Sequence, residues 1–229
     1  DVYALILDLN NDGKNDLFVG SGGGDFRAKN NPLSDSYYLK KDSVFEIGKL
    51  PEYFENTSVI KANDYDNDGD LDLFVGSNAV TNDFGRIPNS YLLKNNNGNL
   101  SITDHQLLQK AGMITDAVWD DFDADGVKDL IVVGEWMPVT ILKNNESNLI
   151  NVTEVSGLGQ THGWWNCILT EDINGDGFID IVAGNLGHNT KLKASSREPV
   201  TMYISDFDGN GTLEQVLCNY QLNKNYPVL

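Results

Sequence analysis

The sequence predicts an all-β fold, a β-propeller or propeller fragment of four-stranded antiparallel blades, and three observations carry that prediction. Short apolar runs flank acidic turns in pairs, a second polar turn follows each of the first three acidic ones, and the pattern recurs at 51 to 57 residues. A four-stranded unit repeated at that period buries its two faces only against neighbouring units.

The acidic turns begin at Asp8, Asp64, Asp121, Asp172 and Asp206, separated by 56, 57, 51 and 34 residues. The runs around them are Ala4 to Leu7 and Leu17 to Val19, Val59 to Ala62 and Leu71 to Val75, Ala117 to Trp119 and Leu130 to Val133, Asn166 to Leu169 and Ile179 to Ala183. Rich in Val, Ile, Leu and Phe and bounded by Gly and Asn, they read as strands, so each acidic segment is a hairpin tip. Second hairpins follow at Tyr37 to Lys40 with Val44 to Ile47, Tyr91 to Lys94 with Leu100 to Thr103, and Val139 to Lys143 with Leu149 to Thr153. Their Asn- and Gly-rich turns supply the positive φ of a tight reversal.

Residues 1–229 are therefore expected to form one propeller region of about four blades, near 1–55, 56–112, 113–163 and 164–229. Asp206 lies 34 residues after Asp172, close to the offset of the second turn in the first two repeats, which places its loop in the second hairpin of the fourth blade. Because Val2 to Leu7 already reads as a strand, the chain is expected to be a piece of a longer protein.

Each acidic loop follows D-x-[DN]-x-[DN]-G-x-x-[DE]. Side-chain oxygens at positions one, three, five and nine, a carbonyl at seven and Gly at six suit a hard cation in a sharp turn. The ligand sets are Asp8, Asn10, Asp12 and Asp16; Asp64, Asp66, Asp68 and Asp72; Asp121, Asp123, Asp125 and Asp129; Asp172, Asn174, Asp176 and Asp180; and Asp206, Asp208, Asn210 and Glu214. Carbonyls of Lys14, Asp70, Val127, Phe178 and Thr212 complete them. Oxygen-only donors without His or Cys favour calcium over zinc or copper, and magnesium would resist giving up so many waters. Up to five calcium ions are expected. An EF-hand is excluded, since position twelve is Val19, Val75, Val132, Ala183 or Leu217 instead of Glu.

Composition agrees. The chain carries 34 acidic and 16 basic residues, a formal charge of −18, which argues against nucleic acid or an anionic membrane as partner. Seventeen of the carboxylates sit on the ligand positions, and five divalent ions would bring the charge to about −8. No apolar run is long enough to span a membrane. Cys167 and Cys218 are expected to be buried free thiols.

These residues resemble the FG-GAP or VCBS-type repeats of integrin-α-like β-propellers, through Asp8-Leu-Asn-Asn-Asp-Gly, Asp64-Tyr-Asp-Asn-Asp-Gly and their counterparts, each followed by a strand ending in Gly20, Gly76, Gly134 or Gly184. Val133-Gly-Glu-Trp-Met-Pro138, Gly163-Trp-Trp-Asn166 and Asp206-Phe-Asp-Gly-Asn-Gly211 are similar to bacterial members of the cartilage-acidic-protein-related group. The resemblance implies a secreted or cell-surface module for adhesion, binding an unidentified protein or glycan, with calcium stiffening the blades.

No catalytic constellation emerges around His105, His162 and His188, so the chain is expected not to be an enzyme. The alternatives are an accessory or catalytic propeller of a carbohydrate-active enzyme, and a structural assembly unit. Trp164 and Trp165, near Trp136, are candidates for a ligand platform or for packing between blades, with one of the pair buried and the other exposed by strand alternation.

Overall fold

The strands after the second and third acidic loops carry unbroken apolar runs, Leu73 to Val75 and Leu130 to Val133, and a strand reads that way when both of its faces are buried. In the computed structural model, which describes residues 2–23, 34–51, 55–81, 83–103, 105–187 and 190–228, this is what happens. Leu73 and Val75 face one neighbouring sheet while Phe74 faces the other, and all three are fully buried. Leu130 and Val132 pack on one side and Ile131 and Val133 on the opposite side. The strand after the first loop, with only every second residue buried, has one covered face.

The chain is all-β, with antiparallel sheets stacked in a propeller-like series. The first sheet joins β1 (Tyr3–Leu7), β2 (Asp16–Gly20), β3 (Ser36–Lys41) and β4 (Val44–Ile47) in sequence order. The second repeats the meander with β5 (Asn56–Asn63), β6 (Asp72–Ala79), β7 (Tyr91–Asn96) and β8 (Asn99–Thr103). The third uses β9 (Met113–Asp120), β10 (Asp129–Met137), β11 (Thr140–Asn145) and β12 (Asn148–Asn151). It continues into β13 (Gly163–Glu171) and β14 (Asp180–Asn185), because the end of β10 also pairs with the start of β13 at Glu135 and Trp164. A bulge between Val133 and Gly134 makes that handover possible. A Cβ on Gly134 would lie 2.0 Å from the Met113 carbonyl oxygen, so only glycine fits.

The remaining strands, β15 (Thr201–Ser205), β16 (Glu214–Gln221) and β17 (Lys224–Pro227), form a sheet of their own. This differs from the expectation that the Asp206 hairpin supplies the second half of the fourth blade. Among the described residues β15 has no ladder to β14, and β16 pairs onward with β17 across a turn in which Leu222 and Asn223 both have positive φ. Strand, acidic loop, strand, strand is the order in which the first three sheets begin. The last sheet leans on the second: Gln215 Nε2 donates to Phe84 O at 2.9 Å, and Ile204 packs against Gly85.

Neighbouring sheets are stitched along their first strands. The Ser58 hydroxyl lies between the carbonyls of Gly76, in its own sheet, and Ile114, in the next. Thr115 does the same between Val133 O at 3.3 Å and Trp165 O at 2.8 Å. Asp116 accepts from Ile168 N at 3.0 Å and pairs with Lys61 at 3.1 Å. Between the first two sheets, buried Asp35 accepts from Ser21 N at 2.7 Å, Thr57 Oγ1 at 3.0 Å and Tyr91 OH at 2.6 Å.

Two asparagines complete the stitching. Asn95, fully buried, donates through Nδ2 to Leu9 O at 2.7 Å in the first acidic loop and accepts from Gly98 N at 2.8 Å. Asn144 repeats this one sheet on, donating to Tyr65 O at 2.8 Å and accepting from Ser147 N at 3.1 Å. Replacing Asn144 with Ala strands a buried carbonyl and a turn N–H, and should cost about 2–4 kcal/mol in chemical denaturation.

Burial raises the pKa of Asp35 above its ordinary value, against hydrogen bonds from Tyr91, Ser21 and Thr57 that lower it. The folded protein then holds this proton more tightly than the unfolded chain does. Its contribution to stability is full below the ordinary carboxylate pKa and is lost as pH rises through the raised folded value. The stability difference between wild type and Asp35→Asn should shift against the wild type over that rise. A difference independent of pH from 3 to 7 would show that Asp35 titrates normally.

Candidate functional site

All five acidic loops close in the same way. The carboxylate at position one accepts two backbone N–H groups, from Asp12 and Gly13 at 3.1 and 2.7 Å in the first loop and from Asp68 and Gly69 at 3.0 Å each in the second. Asp121, Asp172 and Asp206 repeat the pair. Position five accepts from the N–H of position seven, at 2.8 to 3.1 Å across the loops. Gly at position six has φ between 81° and 95° in every loop, the left-handed region that glycine enters without steric cost. Position four is also left-handed, as Asn11, Asn67, Ala124, Gly175 and Gly209.

Position nine does two jobs. In the first three loops this carboxylate is buried, with Asp16 and Asp72 each 1% exposed and Asp129 0%. One oxygen accepts from the N–H at position two, from Leu9 at 2.9 Å, Tyr65 at 3.3 Å and Phe122 at 3.2 Å. The other accepts from the third strand of the same sheet, from Lys40 at 2.7 Å, Asn95 at 2.7 Å and Asn144 at 2.8 Å.

Three loops gather carboxylate oxygens within 4.8 Å of one another among the described residues: Asp64, Asp66 and Asp72; Asp121, Asp123 and Asp129; and Asp206, Asp208 and Glu214. In the first and fourth loops position three is Asn10 or Asn174, whose amide oxygen accepts from Asp12 N at 3.2 Å or Asp176 N at 2.9 Å. The N–H groups of Lys14, Asp70, Val127, Phe178 and Thr212 are turned to position five.

Electrostatics follow the crowding. Burial pushes Asp72 up to about 6, with Asp66 and Asp68 adding to it against hydrogen bonds from Asn95 and Tyr65. Asp129 is raised for the same first reason. Asp68 is lowered, chiefly by the Asp70 N–H, and Asp125 chiefly by Lys143. A hard cation would relieve the repulsion, and one oxygen is available to it: Asp66 Oδ1 is buried and has no hydrogen-bond partner, on a side chain only 9% exposed. Oxygen-only donors and this orphaned acceptor fit a metal ion.

The FG-GAP-like repeat model matches the chain twice, over residues 64–132 and 121–183, together more than half of its length. The chain belongs to the FG-GAP-like repeat family. Each matched FG-GAP-like repeat starts on the first aspartate of an acidic loop and runs through the next loop into the strand beyond it, so the family unit joins two successive acidic loops. The loops at Asp8 and Asp206 lie outside the matched residues. No curated protein matches the chain.

Several residues of this FG-GAP-like site are absent from the sequence pattern. Lys94 and Lys143, on β7 and β11, reach into the second and third loops. The Asp70 side chain, expected to matter only through its carbonyl, accepts from Asn11 Nδ2 at 2.6 Å and Asn97 N at 2.7 Å and so ties two loops together. The aromatic candidates also differ from expectation. Trp164 and Trp165 are both half-buried; Trp165 Nε1 donates to Thr161 O at 3.0 Å, and Trp164 meets Trp136 edge to face at 5.0 Å. The β-bulge in β10 and packing on the third core cluster set these positions instead of simple alternation. Both cysteines are free, but Cys167 is exposed because its face of β13 has no covering sheet among the described residues. His105 lies edge-on to Tyr65, His162 is exposed, and His188 is outside the described residues.

The two kinds of carboxylate should separate on mutation. Asp129→Ala removes acceptors for Phe122 and Asn144 and should cost about 2–4 kcal/mol even in chelator. Asp123→Ala removes only an exposed oxygen paired with Lys143, and in chelator should stay within about 1 kcal/mol of wild type. Equal losses in urea unfolding would refute the division.

Proposed function

We propose that the chain is a calcium-stabilised repeat module of an extracellular or cell-surface protein, whose loops serve adhesion by binding a protein or glycan without catalysis. The buried, unpartnered Asp66 Oδ1 inside a cluster of three aspartates supports the calcium reading most directly. An acceptor in that position loses its hydration without compensation unless a cation supplies it. FG-GAP repeats are typical of extracellular proteins, and no helix among the described residues is long and apolar enough to cross a membrane.

The residues that would hold the ions are the side chains at positions one, three, five and nine with the carbonyl at seven. A bound calcium would supply positive charge and oxygen coordination, while the loops supply a turn already closed by backbone hydrogen bonds. Sites of extracellular type have dissociation constants of about 10⁻⁴ to 10⁻³ M, so they fill outside cells and empty in cytosol. Every site at ten times its dissociation constant adds about 1.4 kcal/mol to folding.

Calcium at several millimolar should therefore raise the melting temperature and chelator should reverse it, with Asp66→Ala and Asp123→Ala each losing part of the gain. A melting curve that calcium and chelator both leave in place would sink the proposal.

A further inference from the structure

Two lysines occupy the places where a cation would act. Lys94 Nζ contacts Asp66 Oδ2 and lies 3.2 Å from Asp68 Oδ2, bridging positions three and five of the second loop. Lys143 Nζ contacts Asp123 Oδ2 and lies 2.8 Å from Asp125 Oδ2, the same positions in the third. The register makes the two equivalent, since Leu73 faces Leu93 and Leu130 faces Leu142, and each lysine is the next residue along. In the first sheet Leu17 faces Tyr38, so the corresponding residue is Leu39, an apolar side chain packed against the core. One unit of the repeat thus lacks the lysine that the next two carry.

We infer that Lys94 and Lys143 are built-in counter-cations of the second and third loops, holding them closed when calcium is scarce and giving way when it binds. The inference rests on the calcium reading above. A lysine ammonium on a four-carbon arm suits this exchange: it neutralises clustered carboxylates as a point charge and can swing into water when a divalent ion arrives. Lys94 is 41% exposed and Lys143 27%, so neither is trapped. Calcium must displace an ion pair in these two loops and none at the same position in the first. The second and third loops therefore bind calcium more weakly than their own ligands would otherwise allow, and stay ordered without it.

Calcium titration calorimetry on the chain tests this with Lys94→Leu and Lys143→Leu, which copy the residue that the first unit already accommodates. Lys41→Leu is the control, since it removes the same charge from a residue that pairs with Glu46 at 2.6 Å outside any loop. Each loop variant should bind calcium about three- to tenfold more tightly at one site, the range that an exposed pair of ion contacts carries. Each should also melt at a lower temperature than wild type in chelator. The control should do neither.

Unchanged calcium affinity in both loop variants overturns the inference while leaving calcium binding intact, and so does an equal gain in Lys41→Leu, which would mark a general charge effect. Wild-type protein that binds no calcium at all overturns the parent reading instead. If either leucine variant fails to fold, Lys94→Gln and Lys143→Gln carry the same comparison with a neutral polar side chain.

Discussion

The buried carboxylate at position nine of the acidic loops is the constraint on which the first three sheets depend. Asp16, Asp72 and Asp129 each have one oxygen on the loop backbone and the other on the third strand. A charge in the interior is costly unless hydrogen bonds surround it, and here two backbone donors do so. The same residue therefore closes the turn, sets the start of the second strand and fixes the third strand against it. Burial raises Asp72 and Asp129 in spite of those donors, so the arrangement is one of compensated strain.

From that carboxylate the connection passes to the next sheet. Asn95 gives its backbone N–H to Asp72 and its side-chain N–H to Leu9 O, and the Leu9 N–H goes to Asp16. Asn144 joins Asp129 to Tyr65 and so to Asp72 in the same way. Three loops more than fifty residues apart in sequence are thus links in one hydrogen-bonded series running beside the apolar clusters. Buried networks of this kind specify an arrangement when fully satisfied, and both asparagines use their amide oxygen as well as their nitrogen. Stacking order comes from these polar contacts, whereas the apolar faces of β6 and β10 would accept many neighbours.

The parts legible in the sequence were those set by short-range rules. Period, strand pairing around the loops and glycine at position six follow from turn chemistry and alternation, and the strands lie where Val, Ile and Leu predict them. Asn95 and Asn144 sit in Lys-Asn-Asn segments that read only as polar turns, because their partners lie 86 and 79 residues away. Lys94 and Lys143 were hidden for the same reason, since nothing local relates them to a loop on the preceding hairpin. Spacing left the Asp206 loop ambiguous, since an interval of 34 residues fits a second turn as well as a new first one; among the described residues β16 pairs onward with β17.

The last two loops show what the network does by doing without part of it. Among the described residues Asp180 accepts only from Ile173 N, at 3.0 Å, and Glu214 from Phe207 N at 2.7 Å and from Thr212 Oγ1 at 3.3 Å, with no third-strand donor for either. Both are less buried than their counterparts, and large apolar residues around them, such as Phe178 and Phe207, are 58% exposed. Backbone closure alone orders these turns, with little tertiary support behind it. An ion bound there would contribute a larger share of local order than one bound at Asp72 or Asp129, where the protein has already fixed the carboxylate. The loops share one sequence pattern, yet the sheets behind them differ, so a bound cation would be a supplement in the middle of the chain and a main support towards its C-terminal end.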